Sequence, residues 1–489
     1  MKLGMYIKGR WIMSVTGRTR DIVNPSNGQV MGQATEGDRE EAQAAIAAAR
    51  EAFDSGIWSD MDKTERAAYL TAIADRMEAR TAELARLEAA NHGKTLREAV
   101  YDVEGAVSCF RYYAKLIVEQ QPLALKPTED VDLLIVREPV GVCGLIAAWN
   151  YPILFAAWKM APALAAGNTL IFKPSQNTPV TAVKVFEIMD EAGLPAGVAN
   201  LVLGRGSSIG DELASSHDVD CLSFTGGTQT GRTVMKAATG NMKKIALELG
   251  GKSPVVIFAD ADFDTALDYA LYGIYMGAGQ VCSAGSRILV EAEIYDRFVA
   301  SFAERANRIR VGRSDDPEAE MGAISTQSHM EEILSYVQIG RDEGARLVCG
   351  GYRKVDDGCE HGYFIAPTAF ADVTSAMRIV QEEIFGPVAV IQKFTREDEA
   401  VQLANDTIYG LAGAVFTRDM DKAKRVIRKI RAGITYVNTY HLSYDEGPWG
   451  GYKQSGIGRE LSTLGLEEYQ EVKQININRK VEPIGWFRE

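Results

Sequence analysis

Only six cysteines, at 109, 143, 221, 282, 349 and 359, and five histidines are spread over 489 residues, and no C-x-x-C pair occurs among them. Neither a disulfide framework nor a zinc site fits that scatter, so a reducing compartment and no metal are expected. Basic residues are in deficit. Lysine and arginine number 53 against 66 acidic residues, a formal charge of −13, which disfavours sequence-independent attachment to phosphate backbones or anionic lipid. Nucleic acid and membrane are therefore not expected as partners. The stretch Met1 to Lys8 lacks the continuous apolar segment of a secretory signal, and the cytoplasm is the expected location. One run, Gly141 to Trp158, goes 18 residues without a charge, the length at which a membrane span is suspected. Gly141, Gly144, Asn150 and Pro152 within it fit better a buried strand that breaks into a loop and then a helix. The sequence shows no low-complexity tract and no internal repeat.

What is present is an ordinary globular composition, 46% apolar and 24% charged, in a length that corresponds to roughly three domain-sized units. The first hundred residues read as helical. Ile46, Ala49, Arg50 and Phe53 keep a 3.6-residue rhythm, and a second helix opens at Asp62 with Glu65 three residues on, placing Leu70, Ile73, Met77, Leu84 and Leu87 inward. From about 140, short apolar runs rich in β-branched residues alternate with helices: Val142–Ala147, Thr169–Phe172, Ala199–Leu203, Cys221–Phe224, Lys244–Leu247 and Pro254–Phe258. Such alternation predicts parallel sheets with helices on their faces. Helices are expected at Phe263–Met276 and Ile294–Ile309, and two α/β units should meet near Gly250-Gly251. Leu123–Pro139 and Gln470–Asn478 alternate apolar with polar residues outside either unit and are expected to pair with each other or with another subunit.

Five places could carry chemistry. Cys282, among Gly277, Gly279 and Gly285 and just before a strand, sits where backbone can approach a ligand closely, which suits a nucleophile; a small buried hydrophobe is the competing role. Glu248, between two leucines at the end of a buried strand, is a candidate general base because desolvation raises a carboxyl pKa, with pairing to Lys252 or capping by amides as the alternative. The Asn150 amide, in Trp149-Asn150-Tyr151-Pro152, can donate to a developing oxyanion or simply make a turn. Lys173 ends a strand, the place where open α/β sheets bind ligands, and could hold a ribose or phosphate. Ser223 to Gly231 runs from a strand through a glycine-rich turn into a helix expected at Arg232–Ala238, a plausible phosphate cradle; Gly204 to Gly210 has a similar layout.

Taken in order, Trp149-Asn150, Phe172-Lys173-Pro174, Phe224-Thr225-Gly226, Glu248-Leu249-Gly250-Gly251-Lys252, Gly279-Gln280-Val281-Cys282, Glu383-Ile384-Phe385-Gly386-Pro387 and Pro448 to Gly456 resemble the aldehyde dehydrogenase superfamily over essentially the whole chain. Lys243 to Lys252, the Cys282 loop and Gly450 to Glu460 look most like bacterial betaine aldehyde dehydrogenases. The resemblance implies an α/β fold with a Rossmann-type cofactor domain (1–122 and 140–250), a catalytic α/β domain (251–465) and a small oligomerisation flap (123–139 and 466–489), assembled as a homodimer or homotetramer. It implies NAD or NADP as cofactor and oxidation of an aldehyde to its carboxylate, with Cys282 as nucleophile, Asn150 and the Cys282 N–H as oxyanion hole, and Glu248 as the base that activates water. Lys173 would hold the adenosine ribose, and Glu383 and Phe385 the nicotinamide ribose and ring. Gly226, Gly227, Thr230 and Gly231 form the pyrophosphate turn, while Ile146, Trp149, Ser175, Gln176, Gly206, Gly210, Phe224 and Leu249 line the same path.

Tyr151, Trp158 and Trp449 match the rings that surround a quaternary ammonium, which points to a cationic aldehyde such as betaine aldehyde or an aminoaldehyde. Three positions depart from the pattern. Gln176 stands where many NAD-preferring members carry glutamate, Met276 where an aromatic ring is frequent, and His441 to Gly447 differs from the His-Pro-Tyr-Phe of close bacterial relatives. A neutral aliphatic or aromatic aldehyde is therefore the alternative substrate. Glu248 speaks against a CoA-acylating relative, retention of Cys282, Glu248 and Asn150 against a non-catalytic scaffold, and the lack of any local histidine motif against a cysteine hydrolase.

Overall fold

The computed structural model describes residues 1–487, so positions 488 and 489 of the expected flap lie outside the described residues. Two large sheets organise the chain. The first has eight strands in the order Gly456–Ile457, Lys244–Glu248, Cys221–Thr225, Val142–Ile146, Thr169–Lys173, Ala199–Leu201, Met5–Ile7 and Arg10–Ile12. The middle five are mutually parallel and buried along their length or nearly so, which explains why they read as continuous apolar runs. The second sheet has seven strands, from Arg346–Cys349 to Ile434–Val437, all parallel except the first. The change of sheet falls between Glu248 and Pro254, but the return of Gly456–Ile457 to the first sheet makes the division discontinuous in sequence.

The uncharged run at Gly141 divides into the strand Val142–Ile146 and the helix Pro152–Ala165, and among the described residues no helix is long and apolar enough to cross a membrane. Two expectations need correction. The first 35 residues are strands, Lys2–Leu3 to Gln29–Thr35, and helix begins only at Arg39–Asp54. The expected helix from Asp62 to Leu87 is two helices, Lys63–Ala79 and Thr81–His92, broken at Arg80. Asp62 caps the first through Thr64 N–H at 2.8 Å, without the reciprocal contact from Glu65. Leu123–Thr128, Val131–Pro139 and Gln470–Asn478 form a separate three-stranded antiparallel sheet in which Gln470 faces Pro139 and Asn478 faces Val131.

Candidate active site

The parallel strands of the first sheet bring the ends Ile146, Lys173, Thr225 and Glu248 to one edge, as ligand-binding α/β sheets do. Onto that edge the second sheet delivers the loop of Cys282. After the helix Phe263–Tyr275, Gly277, Ala278 and Gly279 take φ of 61°, 54° and 69°, three successive left-handed residues that reverse the chain. A side chain at Gly279 would strike the carbonyl of Gly386, so only glycine closes the turn. The loop is tied down from outside as well. Gly277 N–H donates to Glu98 Oε1 at 2.7 Å, and buried Gln280 donates to the Gly277 and Ala323 carbonyls at 3.1 and 3.2 Å while accepting from Ser325 N–H at 2.9 Å.

Cys282 lines the main cavity. Burial pushes its thiol well above the usual range, and the Glu248 and Glu383 carboxyls push the same way. Among the described residues no histidine hydrogen-bonds it. His92 has no partner, His441 donates to the Gly273 carbonyl at 3.0 Å and is pulled down to about 4 by burial, and His329 reaches the Phe385 carbonyl at 2.7 Å. Asn150 donates one amide hydrogen to the Gln280 carbonyl at 3.0 Å, which leaves the other for a ligand. Glu248 ends its strand buried, and neither carboxyl oxygen has a hydrogen-bond partner. Both competing roles for it therefore fall, since Lys252 Nζ is also unpartnered. Burial raises the Glu248 carboxyl well above its ordinary value, reinforced by Glu460 and opposed by Lys159.

The expected cofactor residues lie at the ends of these strands and on the loops beside them. Buried Lys173 finds only its neighbour's Pro174 carbonyl at 3.3 Å, and burial pulls its ammonium down to about 8. Ser175 and Gln176 line a narrow cleft with Gly204 and with Glu36, which Arg20 holds at 2.6 Å and Arg205 approaches at 3.7 Å. The helix after the glycine-rich turn starts earlier than expected, at Thr228, so Thr230 and Gly231 belong to its first turn; Gly227 offers no side-chain cap to its N–H groups. Gly226 lies against the Phe224 ring and Gly231 against Leu249. Gly206 opens a wide turn that ends at Gly210, beside Ile146. Half-buried Glu383 accepts from Gly251 N–H at 2.9 Å, and desolvation pushes its carboxyl up to about 7; a side chain at Gly250 would overlap its carboxylate. Phe385, at φ 56°, meets Trp149 edge-on at 5.3 Å.

The cavity holds about 930 Å³. Trp158 and Trp449 meet at a tilt of 59° with ring centroids 5.4 Å apart, and Tyr151, Phe155 and Trp158 continue the aromatic wall at 5.8 Å spacings. Trp449 is fixed by mutual backbone hydrogen bonds with Glu460, both 2.7 Å, and the Glu460 carboxylate pairs with Lys159, the residue after Trp158. One ring is already in use: Lys94 Nζ lies 4.3 Å from the Tyr151 centroid. Met276 is in the wall, and Tyr272 and Tyr101, both exposed, line the cavity toward solvent. Sequence reasoning missed these tyrosines, His92, Lys94, Glu98 and Asp102. Of these only Glu98 left a local signal, the Thr95-x-x-Glu98 capping box that starts the helix Leu96–Glu119.

Residues 11–475 match the Aldehyde dehydrogenase family. The chain is 49% identical over 488 residues to betaine aldehyde dehydrogenase of Bacillus subtilis, covering 100% of both proteins, and 41% identical over 494 residues to aminoaldehyde dehydrogenase 2 of Zea mays, covering 99% of this chain and 97% of the relative. Its fold superposes with a TM-score of 0.97 on betaine aldehyde dehydrogenase from Staphylococcus aureus in complex with NAD+, at 47% identity and covering 99% of this chain and 97% of that one. A cysteine on a strained turn, an unpartnered carboxyl beside it and a free amide donor thus stand in a chain that belongs to the aldehyde dehydrogenase family.

Proposed function

We propose that the protein oxidises a cationic aldehyde, of the betaine aldehyde or aminoaldehyde type, to its carboxylate with NAD or NADP. The observation that carries the reading is Glu248: a carboxyl buried with both oxygens unpartnered is costly, and a catalytic base for water explains why it is kept. The donors along the sheet edge suit a dinucleotide. Uncapped N–H groups at Thr228 would face its pyrophosphate, Lys173 with Ser175 and Gln176 its adenosine ribose, and Glu383 the second ribose, with Trp149 and Phe385 beside the ring. Neutral Gln176 would accept either a 2′-hydroxyl or a 2′-phosphate. Residues 1–122 and 140–250 would thus bind the cofactor and 251–465 carry the nucleophile, in a cytoplasmic homodimer or homotetramer joined through 123–139 and 466–489.

The Cys282 sulfur, once its proton has passed to solvent water, adds to the aldehyde carbon. The oxygen that becomes negative is met by the free Asn150 N–H and the Cys282 backbone N–H, donors fixed before the charge appears. The bound nicotinamide supplies the hydride acceptor. The thioester left on Cys282 is then hydrolysed when Glu248 takes a proton from water whose oxygen attacks the carbonyl, releasing carboxylate and returning the thiol. Because Glu248 must be ionised and its carboxyl is raised, the hydrolytic step should accelerate as pH rises through that raised range. Glu248→Gln should therefore give a first-turnover burst of reduced cofactor with betaine aldehyde, a stalled steady state without that pH-dependent rise, and an acyl adduct on Cys282 by mass spectrometry. Wild-type turnover with no adduct would remove Glu248 from the chemistry.

A further inference from the structure

Between the turn that carries Asn150 and three helices lies a buried charge cluster that the chemistry above does not use. Lys94, Glu88 and Asp102 all have side chains at most 2% exposed. Lys94 Nζ pairs with Asp102, lies 4.0 Å from Glu88 and donates to the backbone carbonyl of Asn150 at 2.9 Å. Glu88 accepts from Ile153 N–H at 3.3 Å and from the Thr181 hydroxyl at 2.5 Å. The cluster therefore grips both ends of the segment 150–153, where the strand Val142–Ile146 gives way to the helix Pro152–Ala165. The grip matters because the helix holds this segment weakly. Pro152 has no N–H, Tyr151 as N-cap makes no side-chain cap, and the first helical hydrogen bond runs from Phe155 N–H to the Tyr151 carbonyl at 2.9 Å, one residue beyond Asn150.

We propose that Lys94 is a positioning residue: by holding the Asn150 carbonyl it fixes the plane from which the Asn150 side chain leaves, so that one amide hydrogen meets Gln280 and the other points at the substrate oxygen. This rests on the assignment of Asn150 to the oxyanion hole. Oxyanion stabilisation depends on donors held in place before charge develops, and a misplacement of about 1 Å is enough to cost roughly 100-fold. The rival role is purely structural, neutralising Asp102 and Glu88.

The test uses the full-length enzyme with betaine aldehyde and NAD. Lys94→Met should slow the burst of reduced cofactor, which reports thiohemiacetal formation and hydride loss, by about 10- to 100-fold, while NAD affinity, read by tryptophan fluorescence quenching, stays within about twofold. Since Lys94→Met leaves two carboxylates unpaired, Lys94→Met/Glu88→Gln/Asp102→Asn removes the charge cluster as a unit and should show the same slow burst. In an Asn150→Ala background, either change should cost almost nothing further, because the donor it aims is gone. A wild-type burst rate in a folded Lys94 variant, or an equal fold-loss in the Asn150→Ala background, overturns the positioning role. A wild-type burst rate in Asn150→Ala alone overturns the oxyanion assignment beneath it.

Discussion

At the scale of single residues, the aromatic wall divides its labour unequally. Tyr151, matched by resemblance to a ring that would receive a substrate cation, already has the Lys94 ammonium over it at 4.3 Å, so the Trp158 and Trp449 pair is left as the better receptor. A quaternary ammonium offers no hydrogen bond and is held by ring faces, each contact contributing roughly 0.5–2 kcal/mol once water is excluded. Trp449→Ala should accordingly lower kcat/KM for betaine aldehyde about tenfold more than for the uncharged isostere 3,3-dimethylbutanal. A steady-state comparison of the two aldehydes, with 4-aminobutyraldehyde as a primary-ammonium control, checks this. Equal losses for all three would mean that the wall is only an apolar funnel.

At the scale of elements, the loop of Cys282 depends on a turn that requires glycine at position 279. Gly279→Ala adds a methyl group against the Gly386 carbonyl at a left-handed φ, a strain of about 1–3 kcal/mol. Its melting temperature should fall by about 1–3 °C, and Cys282 alkylation by iodoacetamide should change with it. Gly206→Ala, at a position with open space and ordinary φ, should leave the melting curve unmoved. The Cys282 loop was legible because its glycines lie within nine residues of one another, and the buried parallel strands because each is a local apolar run. The strands before residue 36 were not. Met5, Tyr6 and Ile7 are all buried, so no alternation appears, and only the left-handed pair Lys8-Gly9 marks the hairpin to Arg10–Ile12. The break at Arg80 carries no glycine, proline or side-chain cap. The bond from Lys94 to the Asn150 carbonyl spans 56 positions, and no local pattern encodes it.

At the scale of the whole molecule, the three-stranded sheet of Leu123–Thr128, Val131–Pro139 and Gln470–Asn478 stands out for its exposed apolar side chains. Leu123, Leu125, Val472, Ile475 and Ile477 are exposed on it, and Gln470–Asn478 pairs along one edge only, an arrangement that a lone protein would normally blunt. Ile475→Lys/Ile477→Lys should shift the sedimenting species from a multiple of the 53.4 kDa chain to the single chain, as analytical ultracentrifugation can measure; an unchanged mass would place the subunit contact elsewhere. The first sheet, meanwhile, joins strands more than 440 residues apart in sequence. Its strands come from Met5–Ile7 and Arg10–Ile12 on one side and from Gly456–Ile457 on the other, the latter pairing Gly456 with Glu248 itself. On a ribosome adding about 5–20 residues per second, that last pairing waits roughly 20–90 s after the first strand emerges. Until then the strand bearing Glu248 has an open edge, so a nascent chain carries Cys282 before the strand that flanks Glu248 has been made, and any chaperone that shelters this protein during synthesis should be needed longest at that edge.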